Sequence, residues 1–99
     1  GMFVIIALVD QKTGKLKKSP DLISRGFVYL KENQELLRQV RIIIRKSVED
    51  ITTKMPLHAN NVNTIDFDHI KANLGESISK FLYQKTAKRP LVIPVVLGV

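Results

Sequence analysis

Two segments predict β-strands with apolar side chains on both faces, and this constrains the fold more than any other feature. Residues 3–9 read "FVIIALV" and residues 91–99 read "LVIPVVLGV". Short apolar runs rich in β-branched residues are typical of strands. Because successive side chains of a strand point to opposite faces, each strand presents two apolar faces. Strands of this kind are normally covered on both sides.

The sequence between these strands predicts one further strand and two helices. In "DQKTGK", Gly14 can take the positive φ of a hairpin turn, and residues 22–30 predict the returning strand. Residues 32–52 carry apolar side chains every three or four positions, which predicts a helix. A second such stripe begins near Asp66, where Thr64 and Asp66 both suit an N-cap. Pro90 ends that helix.

The predicted order is therefore β-β-α-α-β, an α+β fold. We expect one domain over residues 1–99, with a three-stranded mixed sheet and two helices packed on one face. Pro94 places the last strand at a sheet edge or at a bulge. The chain enters its first strand at once, which we interpret as a fragment of a longer protein.

Two helices of this length cover one face, so we expect the other face to contact a second copy of the chain or another domain. The alternative is that the helices curl around both sides of the sheet. In the last strand, we expect Leu91, Ile93 and Val95 to oppose Val92, Val96 and Leu97. The predicted interface consists of Val4, Ile6, Leu8, Arg25, Phe27, Tyr29, Val92 and Val96.

The pair Arg25-Gly26 lies in the middle of the predicted second strand, where neither residue is favoured. We expect Arg25 to stack on the aromatic rings of Phe27 and Tyr29 and to pair with Asp21 or Asp10, bridging elements or an interface. The alternative role of Arg25 is a direct contact with RNA phosphate. Gly26 either allows a close backbone approach or marks a bulge.

The chain has 16 Lys and Arg but 9 Asp and Glu, which gives a net charge of +7. This charge favours an anionic partner, and nucleic acid is the commonest candidate. A basic solvated surface without a partner is the alternative. The low aromatic content of 6% does not favour stacking on unpaired bases. The candidate RNA contacts are Lys15, Lys17, Lys18, Arg38, Arg41, Arg45, Lys88 and Arg89.

Other classes of function find little support in the sequence. Without cysteine, the chain has no disulfide and no thiolate metal site, which fits a reducing cytosol. No apolar run is long enough for a membrane helix. The histidines, His58 and His69, belong to no metal-ligand cluster, and we interpret both as surface or capping residues. We therefore expect no catalytic residue, cofactor or metal in this chain, and an independent small enzyme is the least favoured hypothesis.

Three segments carry a family resemblance: "TGKL", "SPDLISRGFVYL" and "YQKTAKRPLVIPVV". They resemble the C-terminal domain of ribonuclease J, most specifically around Arg25-Gly26-Phe27 and Arg89-Pro90, and the likeness covers nearly the whole chain. The resemblance implies a cytoplasmic bacterial enzyme of the metallo-β-lactamase fold with a β-CASP insertion. It also implies two zinc ions in the catalytic domain, and 5′-to-3′ exonuclease and endonuclease activity in RNA decay and maturation.

The resemblance also implies a role for the small domain itself. In this family the domain follows the catalytic body through a linker and supports assembly and activity without supplying the catalytic centre. The expected partners are a second copy in a homodimer or the chain's own catalytic domain, and RNA is the substrate of the whole enzyme. An auxiliary RNA-binding module, using the basic helix and hairpin faces, is the alternative function.

Overall fold

The computed structural model describes residues 1–26, 33–53 and 65–99. It contains β1 (Met2–Val9), β2 (Asp21–Arg25), α1 (Gln34–Thr53), α2 (Phe67–Thr86) and β3 (Leu91–Gly98). The sheet order is β2-β1-β3, with β1 antiparallel to β2 and parallel to β3. These elements confirm the predicted α+β fold, its order and its mixed sheet. They also place β3, which contains Pro94, at a sheet edge.

Short polar side chains define where the helices begin. The Asn33 carboxamide oxygen accepts a hydrogen bond from the Leu36 N–H at 2.9 Å, which caps α1. Asp66 caps α2 in the same way, accepting from the His69 N–H at 3.0 Å. Thr64, the other candidate cap, lies outside the described residues. At the far end of α2, Ala87 takes a left-handed conformation with φ 60° and its N–H donates to the Tyr83 carbonyl.

A tight turn follows β1 and is joined to the last turn of α1. The Asp10 carboxylate accepts hydrogen bonds from the N–H groups of Lys12 and Thr13 at 2.7 and 3.2 Å. Gly14 has φ 73°, as the sequence predicts. The Thr52 hydroxyl donates to the Gly14 carbonyl at 2.9 Å. This contact holds the hairpin against the end of α1.

The core lies between one face of the sheet and the two helices. On β1 the inward side chains Phe3, Ile5, Ala7 and Val9 are all fully buried. The helices meet them with stripes at a spacing of four residues: Leu36, Val40, Ile44 and Val48 from α1, and Ile70, Leu74, Ile78 and Leu82 from α2. Each large side chain buried this way contributes about 1.5–3 kcal/mol, so this layer supplies most of the apolar stabilisation.

The second strand differs from the prediction at Arg25-Gly26. It was expected over residues 22–30, but β2 ends at Arg25 and Gly26 turns away with φ 68°. A positive φ lies outside the conformation of a strand and is unfavourable for any residue that carries a side chain. Arg25-Gly26 therefore marks the end of β2 and not its middle. Residues 27–30, including Phe27 and Tyr29, lie outside the described residues.

The predictions for β3 are wrong in two respects: Val92 and Val96 are placed at the interface, and Leu97 is grouped on their face of the strand. The parallel register pairs Phe3 with Val92 and Ala7 with Val96, so both valines face the helices, and Val96 is only 4% exposed. Leu97 pairs with Leu8 on the other face. Leu97 therefore shares its face with Leu91, Ile93 and Val95, and alternation continues through Pro94, which lies opposite Ile5 in the register. Val92 and Val96, which the sequence assigns to the interface, therefore do not lie on the face turned away from the helices.

Candidate functional site

The face of the sheet turned away from the helices is the candidate site, and we call it the open face. Its side chains follow from the register of β1 with its two neighbours. They are Met2, Val4, Ile6 and Leu8 from β1, Asp21, Ile23 and Arg25 from β2, and Leu91, Ile93, Val95 and Leu97 from β3. Ile23, Leu91 and Leu97 are 41%, 64% and 50% exposed. The other apolar members are half-buried.

The open face is organised in rows that cross all three strands. Directly opposed residues form the rows Arg25–Met2–Leu91, Ile23–Val4–Ile93 and Asp21–Ile6–Val95, and Leu8–Leu97 extends the apolar surface beyond them. Its charged side chains both lie on β2, at the margin. A contiguous apolar surface on the outside of a domain is typical of an interaction site.

The structure confirms the predicted inward and outward alternation of β1. Val4, Ile6 and Leu8 lie together on the open face, whereas the buried side chains of α1 and α2, the two described helices, pack on the other face of the sheet. Arg25 shares the face at its margin and is exposed. Ile23, Leu91, Ile93, Val95 and Leu97 were missing from the predicted interface. Alternation groups Leu91, Ile93 and Val95 on one face of β3, but which face of β3 lies beside Val4, Ile6 and Leu8 depends on the register with β1.

The expected carboxylate partners of Arg25 are engaged elsewhere. The Asp10 carboxylate lies 3.3 Å from the Lys17 ammonium, and the Asp21 carboxylate lies 3.5 Å from the Lys18 ammonium. Two backbone N–H groups, from Lys12 and then Thr13, are the main cause of the lowered pKa of Asp10, and Lys17 adds to it. The ion pair predicted for Arg25 is therefore replaced by two lysine pairs.

Arg38, one of the candidate RNA contacts, is bound within its own helix. Its Nε and Nη2 donate to the two carboxylate oxygens of Glu35 at 3.0 and 2.7 Å, and Gln39 donates to the same carboxylate at 3.1 Å. Hydrogen bonds from Arg38 and then Gln39 lower the pKa of Glu35 to about 2. Arg38 therefore faces solvent with its charge already paired.

The other candidate RNA contacts lie in separate places. Lys15, Lys17 and Lys18 follow the carboxyl end of β1, where the Lys17 N–H donates to the Leu8 carbonyl. Lys88 and Arg89 lie at the opposite end of the sheet, since the Leu91 N–H donates to the Gly1 carbonyl. Arg41 is half-buried and Arg45 exposed on α1. The structure does not gather these cations into one patch.

A stacked pair at the end of α2 was not predicted. The Arg89 guanidinium lies 4.6 Å from the centre of the Tyr83 ring, and Tyr83 is 47% exposed. The Lys85 ammonium lies 5.9 Å from the Phe81 ring. Helical spacing gives no hint of the Tyr83–Arg89 contact, because the chain leaves the helix between the two residues.

The described residues provide no cluster that could bind a metal ion. No group of three or more histidine, aspartate or glutamate side chains lies close enough together in that part of the chain. His69 is exposed in the first turn of α2, and His58 lies outside the described ranges. Neither α1 nor α2 combines the length and apolar character that crossing a membrane requires.

Comparison with known proteins agrees with the resemblance in the sequence. The family described as the ribonuclease J C-terminal domain matches residues 1–99. Ribonuclease J 2 of Staphylococcus epidermidis is 34% identical over 96 residues, and that of Staphylococcus aureus is 33% identical over the same length. Each match covers 97% of this chain but only 16% of the relative. The chain therefore belongs to the family of ribonuclease J C-terminal domains.

Proposed function

We propose that this chain is a non-catalytic assembly domain of a ribonuclease J-type enzyme, which associates with a second copy of itself through the open face. The observation that carries the proposal is the apolar surface that β1 and β3 form on this face together with Ile23 of β2, while α1 and α2 cover the opposite face. Exposed side chains such as Leu91 and Leu97 gain free energy when a partner removes them from water.

The dimensions of the open face indicate a weak dimer. Strands lie about 4.8 Å apart and rise about 3.3 Å per residue, so three strands of up to eight residues cover roughly 400 Å². Two such faces lie at or below the small end of specific protein interfaces. We therefore expect association of the isolated domain in the micromolar to millimolar range.

We assign the chemistry of the enzyme to its remaining part. The relatives are named ribonucleases, and this chain matches 16% of their length. The family resemblance implies two zinc ions, hydrolysis of RNA and a cytoplasmic location for the whole enzyme. In such a dimer, the open face would bring two catalytic bodies together without touching the reacting atoms.

Sedimentation equilibrium of the isolated domain from about 10 μM to 1 mM tests the assembly role. We expect the apparent mass to rise from the monomer value of 11.2 kDa towards twice that value. The rise should persist in about 0.5 M salt, because burial of apolar area is not screened as surface charges are. A protein that stays monomeric at 1 mM contradicts the proposal.

A second candidate function, RNA binding, is favoured by the stacked pair at the end of α2. An exposed aromatic ring with cations beside it is the pattern that binds single strands, and stacking contributes about 1–3 kcal/mol per base. Tyr83, Arg89 and Lys85 supply these groups next to Lys88.

A gel-shift titration with a single-stranded RNA, repeated in rising salt, tests this second function. Tyr83→Ala and Arg89→Ala should each weaken binding about 5-fold or more. Lys46→Ala removes an exposed cation from α1 and serves as the control, with little effect expected. Absence of any shift at about 50 mM salt would refute RNA binding by this domain.

A further inference from the structure

The charges on the open face form a self-complementary pattern around its middle row. On β2 the outward positions read Asp21, Ile23 and Arg25, so the rows on either side of Ile23 begin with opposite charges. The remaining members of those two rows are apolar in both cases, Met2 and Leu91 in one and Ile6 and Val95 in the other. A rotation of 180° that exchanges these two rows therefore places each charged residue over one of opposite charge. It also places each apolar residue of the two rows over another apolar residue.

We infer that two copies pack face to face about a two-fold axis that follows the row Ile23–Val4–Ile93 across the strands. This inference rests on the proposed assembly role and adds its geometry. The rotation reverses the strand direction and places each strand over its own counterpart. Arg25 then lies over Asp21 of the partner subunit, and the same pair forms twice because a two-fold interface is self-complementary.

Other two-fold axes in the plane of the open face bring Arg25 and Asp21 into unfavourable contacts. An axis along the strands places β2 over β3 of the partner subunit, so Arg25 and Asp21 would each be desolvated against leucine or valine. An axis along the row of Arg25 stacks two arginines, and one along the row of Asp21 stacks two aspartates, which are repulsive contacts. Of the three rows, only the middle one gives two attractive pairs.

The existing contact of Asp21 is compatible with this arrangement. Lys18 lies 3.5 Å from one carboxylate oxygen, and the side chains of Lys18 and Asp21 are each 58% exposed. A carboxylate accepts several hydrogen bonds, so the second oxygen remains available to a guanidinium. Packed sheets lie about 10 Å apart, which an arginine and an aspartate reaching from opposite sides can span.

A charge-exchange experiment on the isolated domain tests the axis. The single variants Asp21→Arg and Arg25→Asp convert both attractive pairs into repulsive ones, and each should raise the dimer dissociation constant about 10-fold or more near 50 mM salt. The double variant restores both pairs with reversed polarity and should return to near the wild-type value. An equimolar mixture of the two single variants should form a heterodimer more tightly than either variant forms its own dimer.

Controls on α1 separate this effect from net charge. Asp50→Arg and Lys46→Asp change the net charge of +7 in the same two directions at exposed positions away from the open face, and they should have little effect. Circular dichroism of every variant verifies the fold, and the neutral variants Asp21→Asn and Arg25→Gln should weaken the dimer less than the reversals do.

The outcomes distinguish this inference from the assembly role beneath it. If the wild-type domain dimerises but the double variant is no tighter than the single variants, the axis is wrong and the assembly role stands. If the wild-type domain stays monomeric at about 1 mM, both fail. Rescue by the double variant together with a preferred heterodimer is the result that the two-fold axis requires.

Discussion

Ile5→Asp is expected to unfold the domain, whereas Ile6→Asp, at the next residue of the same strand, leaves the domain folded and monomeric. Ile5 is fully buried between the sheet and the helices, and no buried side chain in the described part of the chain is polar or charged. Burying an unpaired carboxylate there, with the lost apolar contacts, costs roughly 5 kcal/mol or more, which approaches the whole stability of a typical domain.

Ile6 lies on the open face, where an aspartate remains solvated in the monomer. Its cost arises on association, because the dimer would bury the charge against the partner subunit. Circular dichroism and thermal melting report the fold of each variant, and sedimentation reports assembly. Since both variants have the same composition and exchange the same residue types, each is the other's control. An Ile6→Asp protein that still dimerises would exclude the open face as the contact surface.

Gly14→Ala is expected to destabilise the domain by about 2–5 kcal/mol. The left-handed conformation at φ 73° costs a side-chain-bearing residue about 1–2 kcal/mol. A Cβ atom at this position would also lie 2.6 Å from the Cβ of Thr52, and relieving such an overlap costs typically 1–3 kcal/mol. Moving Thr52 away would further break its hydrogen bond to the Gly14 carbonyl.

Gly26→Ala is the matched control for this substitution. Gly26 has a similar φ of 68°, but the nearest atom to an added Cβ is the Cα of Gly1 at 3.5 Å, an ordinary contact. Only the conformational cost then applies, so we expect a loss of about 1–2 kcal/mol. Urea unfolding of both variants measures the difference. Equal losses would show that the contact with Thr52 does not constrain the hairpin.

The sequence predicts the elements of this fold well where one periodicity dominates a segment. The stripes of α1 and α2 recur every three or four residues, Asp66 is an identifiable cap for α2, and β1 is an unbroken apolar run. The sequence also predicts that the strands have more apolar surface than two helices can cover, because this depends only on the alternation of side chains and on the number of helices. That reasoning located the open face.

The predictions fail where they depend on how one strand is placed beside another or on which partner a side chain contacts. Alternation separates Val92 and Val96 from Leu91, Ile93 and Val95, but only the register of β3 against β1 shows that the two valines face the helices. The carboxylates predicted to pair with Arg25 are instead paired with Lys17 and Lys18. Such pairings depend on where side chains end in space, which local spacing does not specify.

The strand order has a consequence for how the domain folds. β1, in the middle of the sheet, is the first element of the chain, and its parallel neighbour β3 is the last, so the ladder joins residue 2 to residue 91. Contacts between such distant positions form late and slow the search for the native state. During synthesis the helical hairpin can pair early, but the sheet remains incomplete until the final strand is made. Until then the apolar central strand is a target for chaperones and for misassociation between nascent chains.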